Sequence, residues 1–116
     1  MKHCRTLLVE DDPDTCEALT RILRRRGYEV DCAMSVHEAI DKLNNRPACI
    51  VLDLMLPDGN GIDVLRRARD AALRTTVCVI TGCGPEMIDE ALGAGAHHAF
   101  TKPLDVRRLM HVMTAV

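Results

Sequence analysis

Ala48-Cys49-Ile50-Val51-Leu52-Asp53-Leu54-Met55-Leu56-Pro57-Asp58-Gly59-Asn60-Gly61 decides the fold. Its first five residues are a short apolar run that reads as a buried parallel strand, and Pro57 to Gly61 is turn chemistry. Asp53 therefore sits at the carboxyl end of a strand, where open α/β sheets place their ligand sites. Three other apolar runs end in equally polar chemistry. Leu7-Leu8-Val9 runs into Glu10-Asp11-Asp12, Val77-Cys78-Val79-Ile80 ends at Thr81, and Ala99-Phe100-Thr101 closes at Lys102-Pro103. Carboxylates, a hydroxyl and an ammonium gathered along one sheet edge suit phosphoryl chemistry assisted by a divalent metal.

Working outward, strands are expected near 5–9, 29–33, 49–53, 77–81 and 97–101, and helices near 14–26, 36–45, 62–71, 86–94 and 105–114. Asp12 and Pro13 open the first helix as N-cap and first-turn residue, Ala18, Leu19, Ile22 and Leu23 form its core stripe, and Gly27 is its left-handed cap. Ser35 with Glu38 reads as a capping box for the second helix. Such alternation, with right-handed crossovers, gives a parallel sheet covered on both faces. Five units are too few for an eight-fold barrel, so the fold class is α/β: an open, doubly wound, flavodoxin-like five-stranded sheet of order 2-1-3-4-5 with five helices. That order makes the first and third strands neighbours, facing Glu10 and Asp11 toward Asp53. Like charges so placed call for a cation. Oxygen donors with room for water favour Mg²⁺ over softer metals.

Composition narrows the classes of function. At 116 residues, 1–116 is expected to be one domain with a core of its own. A net charge of −2 and only two aromatics, Tyr28 and Phe100, argue against a nucleic-acid partner. Arg24-Arg25-Arg26 reads as a solvated last helical turn. No apolar run approaches the ~20 residues of a spanning helix, so no membrane partner is expected. The six cysteines form no C-x-x-C pair and read as reduced small hydrophobes of a cytoplasmic protein.

Taken together, four fragments in order resemble the receiver domain of two-component response regulators: Leu8 to Pro13, Val51 to Gly61, Ile80-Thr81-Gly82, and Ala94-Gly95-Ala96 through Thr101-Lys102-Pro103. The resemblance covers essentially the whole chain. It implies that Asp53 accepts a phosphoryl group from a sensor histidine kinase or phosphotransfer protein. It implies further that Asp11 and Asp53 ligate Mg²⁺ directly, that Glu10 acts through water, and that Met55 offers its backbone carbonyl. Thr81 would bond a phosphoryl oxygen, and Lys102 would hold a positive charge against it, turned inward by a cis peptide before Pro103. The product would be a switched surface for a downstream protein or effector domain, or for a phosphorylation-dependent homodimer. Such a domain is not an enzyme with turnover; it promotes only its own phosphorylation and dephosphorylation.

Each residue has a blander reading. A strand-end Asp is often a helix cap, a strand-end Thr a satisfied hydroxyl, and a lone Lys surface. Only the set of Glu10, Asp11, Asp53, Thr81 and Lys102 overrides them. His97 and His98 point to opposite faces and cannot easily chelate together. Met110 and Met113 read as helix packing. Among rivals, a haloacid-dehalogenase-type phosphatase needs a second Asp where Met55 stands. A nucleotide-binding loop at Gly82-Cys83-Gly84 lacks its third glycine at Met87, and a degenerate receiver acting as a binding scaffold would not keep the full set. Two departures from the family remain. Its usual aromatic switch position holds Ala99, with Phe100 aimed at the other face, and the sequence stops at Val116 with no effector domain, as expected of either a single-domain regulator or a fragment of a longer regulator or hybrid kinase. Met55 and Cys83, which flank attacking water in the family, carry neither acid nor amide, so a long-lived phosphoaspartate is expected.

Overall fold

In a computed structural model, which describes residues 4–82 and 84–114, the apolar runs become β1 (Arg5–Val9), β2 (Glu29–Ala33), β3 (Cys49–Asp53), β6 (Thr76–Thr81) and β7 (His98–Thr101). They pair in parallel in the order β2-β1-β3-β6-β7, which is the expected 2-1-3-4-5 when these five strands are counted alone, two short strands outside this sheet falling between β3 and β6. Alternation within each strand sets the two layers. Leu7, Val9, Ile50, Leu52, Val77 and Val79 face one side, packed with residues of α2 (Val36–Lys42), α3 (Ile62–Asp70) and α4 (Pro85–Gly93). Leu8, Cys49, Val51, Cys78 and Ile80 face the other, against α1 (Pro13–Arg25) and α5 (Val106–Thr114). Each fully buried leucine, such as Leu52, contributes about 2 kcal/mol of transfer free energy. Met110 and Met113 belong to this core, as read.

Helix ends follow local chemistry. The Asp12 carboxylate caps α1 by accepting from the Thr15 backbone N–H, Pro13 occupies the first turn, and Arg24 and Arg25 lie in the last. Gly27, at φ 91°, closes the helix: its N–H donates to Arg24 O at 3.0 Å, and Tyr28 N–H donates to Leu23 O at 3.2 Å. This paired closure requires a left-handed residue, which glycine supplies without a Cβ clash. Two details depart from expectation. Ser35 Oγ accepts from Glu38 N at 3.1 Å, but the Glu38 carboxylate answers to Met34 N at 3.0 Å and not to Ser35 itself, so the capping box is displaced by one residue. The second helix also ends as α-helix at Lys42 and tightens into a 3₁₀ turn over Leu43–Asn45.

A third departure lies next to Asp53. The stretch expected to be only a turn folds into a small antiparallel ribbon, β4 (Met55–Leu56) with β5 (Gly59–Asn60), pairing Met55 with Asn60. Pro57 and Asp58 form its bend.

Candidate functional site

Val9 pairs with Leu52 across β1 and β3, so the residues that follow, Glu10 and Asp53, emerge side by side at the carboxyl edge. Both are nearly inaccessible, at 5% and 3% exposure, whereas Asp11 is exposed. One oxygen from each of Glu10, Asp11 and Asp53 lies within 4.8 Å of the others. Crowding has an electrostatic consequence. Burial first, and the Asp53 charge in addition, push the Glu10 carboxyl up to about 7, although Asp12 N–H and Lys102 pull it back. Three hard oxygen donors converging where two like charges are buried are a chemical match to a small divalent cation, so these residues fit such an ion.

The remaining side chains arrive from the other strand ends. Lys102 Nζ donates to Asp53 Oδ2 at 2.7 Å and stands 3.8 Å from Glu10 Oε1. Its bond to Asp53 raises the Lys102 pKa, so the ammonium stays charged. The Lys102-Pro103 peptide is cis, and Lys102 N–H donates to Thr81 O at 2.9 Å. Asp53 pairs with Ile80 in the β3–β6 ladder, which puts the fully buried Thr81 one residue further along the same edge. The structure thus brings Glu10, Asp11, Asp53, Thr81 and Lys102 to one edge. Met55 contributes its backbone: its N–H donates to Asp53 Oδ1 at 3.0 Å, while the residue as a whole is 61% exposed. Asp12 is drawn off as the cap of α1. Cys83, the other position flanking the acceptor, lies outside the described residues.

Two residues that sequence reasoning passed over help build the site. Asp58 accepts Val36 N at 2.7 Å through Oδ1 and His37 N at 3.0 Å through Oδ2, tying the ribbon to the start of α2. Those bonds, the one from His37 foremost, lower its pKa. An Asp after Pro in a turn signals only a local bend, because its partners lie 21 and 22 residues away. Gly61 is the second. A Cβ there would lie 2.4 Å from Asp53 O and 3.0 Å from Leu54 Cα, so the loop can return beneath Asp53 only with glycine at this point. Ala99 and Phe100 do take opposite faces of the sheet, Ala99 against the α2–α4 layer and Phe100 against the α1–α5 layer. His97 holds Val77 N–H on its Nδ1 at 3.1 Å, a structural bond.

Comparison with known proteins agrees with this geometry. A sequence model of the response regulator receiver domain matches residues 6–114. The chain is 35% identical over 114 residues to the transcriptional regulatory protein CpxR homolog of Haemophilus influenzae, covering 97% of this chain. It spans about half the length of the curated relatives it matches, 49% in that case. Among solved structures it superposes on a CheY-like response regulator receiver domain protein from Methanospirillum hungatei with a TM-score of 0.92 at 28% identity, covering 98% of this chain and 93% of that one. A Burkholderia pseudomallei response regulator, solved with a phosphorylated aspartic acid, a calcium ion and citrate, matches with a TM-score of 0.85 at 26% identity, over 92% of this chain and 64% of that one. Motif order, strand order and edge chemistry converge with these matches: the chain belongs to the response regulator receiver domain family of two-component signalling.

Proposed function

We propose that this domain accepts a phosphoryl group on Asp53 from a phosphohistidine of a sensor kinase or phosphotransfer protein. The observation that carries the reading is the environment of the Asp53 carboxylate, with Oδ1 held by Met55 N–H and Oδ2 by Lys102 at 2.7 Å, beside Glu10 and Asp11. An Asp53 oxygen forms the new bond to phosphorus as the phosphorus–nitrogen bond of the donor breaks and its imidazole leaves. Lys102 is placed to move its hydrogen bond from Asp53 to a phosphoryl oxygen, keeping a positive charge where negative charge accumulates. Mg²⁺ is the expected cation; bound there, it would neutralise charge on the carboxylates and on the transferring group. Asp11, Asp53 and the Met55 carbonyl would hold it, with Glu10 acting through water. The Burkholderia protein that carries a phosphorylated aspartic acid and a calcium ion supports this pairing of acceptor and divalent metal.

Thr81 would then bond the phosphoryl group and draw the 82–86 loop with it, altering the surface of α4, β7 and α5 for a downstream protein, an effector domain or a second copy. Ala99 offers no side chain to rotate, so the loop carries the change. Among the described residues no helix is long and apolar enough to cross a membrane, in keeping with a cytoplasmic signalling role. Met55 stands where a phosphatase of the haloacid dehalogenase type would need its second carboxylate, so no steady turnover of phosphate esters is expected. Incubation with acetyl phosphate and Mg²⁺ should add one phosphoryl mass to the chain and none to Asp53→Asn. Persistent single labelling of that variant would overturn the assignment.

A further inference from the structure

The fold brings together two cysteines that the sequence keeps 16 residues apart, with no motif linking them. Cys16 sits on the first turns of α1 and Cys32 on the edge strand β2, and Cys16 Sγ donates to Cys32 Sγ at 3.0 Å. Thr20 Oγ1 stands 3.2 Å from the same Cys32 sulfur. Both cysteines line a surface groove of about 790 Å³, bordered by Glu17, Arg21, Arg24 and Met34. Cys32 is half-buried and Cys16 buried, so Cys32 is the more accessible of the two residues. The phosphoacceptor chemistry uses neither.

We propose that Cys16 and Cys32 are a modification site: a dithiol that a hydroperoxide converts reversibly to a disulfide. Thiol sulfurs at 3.0 Å need to close by only about 1 Å to reach the ~2.05 Å of a disulfide, a shift within side-chain reach. In the first step the deprotonated Cys32 sulfur attacks the terminal peroxide oxygen. A sulfur–oxygen bond forms, the O–O bond breaks, and the alcohol or water leaves with a proton taken from solvent, giving the Cys32 sulfenic acid. In the second step the Cys16 sulfur attacks the Cys32 sulfur. The S–S bond forms, the S–O bond breaks, and water departs with the Cys16 proton. Two electrons pass from the thiols to the peroxide in all. Burial pushes the Cys16 thiol up to about 11, so Cys16 is not the sulfur that attacks the peroxide, and its place 3.0 Å from Cys32 makes it the resolving partner. A second pair provides an internal contrast. Cys49 and Cys78 lie in the central strands β3 and β6 at 2% and 0% exposure, shielded by the core. The bond would staple the first turns of α1, which follow directly on Asp11 and Asp12, to the edge of the sheet.

The test treats the folded wild-type chain with hydrogen peroxide, blocks remaining thiols by alkylation and digests it with trypsin without reduction. Cleavage after Arg21 and Arg26 places the two cysteines in separate peptides. The expected result is an intact mass lowered by two hydrogens and a cross-linked pair of peptides joining Cys16 to Cys32, both reversed by dithiothreitol. The mass change should vanish in Cys16→Ser and in Cys32→Ser and persist in Cys49→Ser. If a variant fails to fold, the wild-type peptide map decides alone. A Cys32 oxidised to sulfinic acid with Cys16 alkylated, a cross-link through another cysteine, or both thiols alkylated after peroxide treatment would overturn the proposal.

Discussion

The two edges of the sheet are built by different rules. At the amino edge, helices turn back into strands through tight closures made from neighbouring residues. After α1, α3 and α4 the same pair of backbone bonds recurs: Gly27 N to Arg24 O with Tyr28 N to Leu23 O, Ala72 N to Arg69 O with Leu73 N to Ala68 O, and Gly95 N to Leu92 O with Ala96 N to Ala91 O. At the carboxyl edge the contacts are long-range and in conflict. Glu10, Asp53 and Lys102 come from three strand ends, and burial sets two like charges side by side. One edge minimises free energy locally, while the other accepts repulsion to assemble a reactive carboxylate. That contrast is what natural domains show where function is placed on a consistent scaffold.

The largest test of the contrast is a single methyl group at the crowded edge. Gly61→Ala would press a Cβ into Asp53 O at 2.4 Å and Leu54 Cα at 3.0 Å, both backbone atoms that cannot swing away. We expect a loss of roughly 3 kcal/mol in denaturant unfolding, the upper range for overpacking. Gly93→Ala, at the other end of the molecule, meets nothing within 4 Å and should change stability by no more than about 0.5 kcal/mol. Equal effects from the two variants would erase the distinction between the edges.

A second variant probes the repulsion itself. Asp53→Asn removes the charge that adds to burial in pushing the Glu10 carboxyl up to about 7. In chelator we expect it to raise stability by about 1 kcal/mol, near 4 °C in melting temperature for a domain of this size. The melting gain that Mg²⁺ confers on the wild type by ligand linkage should shrink in the variant. An unchanged gain would put the metal elsewhere, and a lower melting temperature in chelator would show that the lost bond to Lys102 outweighs the relief.

The same division explains what could be read from the chain. Strand runs, the order of the sheet, the Asp12 cap and the Gly27 closure were legible because each rests on residues within a few positions of one another or on the handedness of crossovers. The edge cluster was legible too, though as a resemblance and a topological inference, since Glu10 and Asp53 meet only through the β1–β3 register. What escaped was long-range or a matter of clearance. Asp58 capping α2 across 21 and 22 residues, the meeting of Cys16 with Cys32, and the need for glycine at 61 leave no local signature. The miniature ribbon at 55–60 was hidden because two-residue strands carry no periodicity to detect.

Ala72, like Arg46 after the 3₁₀ turn, closes a helix at the amino edge in the left-handed region without being glycine. It holds φ 55° in the closure after α3, where Gly27 and Gly95 hold the equivalent positions after α1 and α4. A left-handed residue with a Cβ costs about 1–2 kcal/mol, and the extra freedom of glycine in the unfolded chain returns about 0.5–1 kcal/mol of that. Ala72→Gly should therefore stabilise the domain by about 0.5 kcal/mol, read as a higher denaturant midpoint at unchanged slope. A destabilised variant would mean that the Ala72 methyl makes packing worth more than its strain.

The smallest expected effect tests whether the amino edge is electrostatically quiet. His97 Nδ1 accepts Val77 N–H at 3.1 Å and lies 3.3 Å from Arg69 Nη2, an arrangement that needs the neutral imidazole. Burial, with the Arg69 charge adding to it, holds the His97 pKa below its usual 6.5. Because the folded pKa is depressed, the unfolded chain binds more protons just below pH 6.5. Stability from this group is thus fully present above that pH and is lost as the pH falls through the folded pKa. Solvent screening at this exposed ring keeps the loss well under about 1 kcal/mol. It should appear as a small drop in melting temperature between pH 7.5 and pH 5 that is present in wild type and missing from His97→Gln once the carboxylate contribution common to both is subtracted. If the two profiles coincide, the Val77 bond does not depend on the protonation of His97, and the amino edge is quieter than its geometry implies.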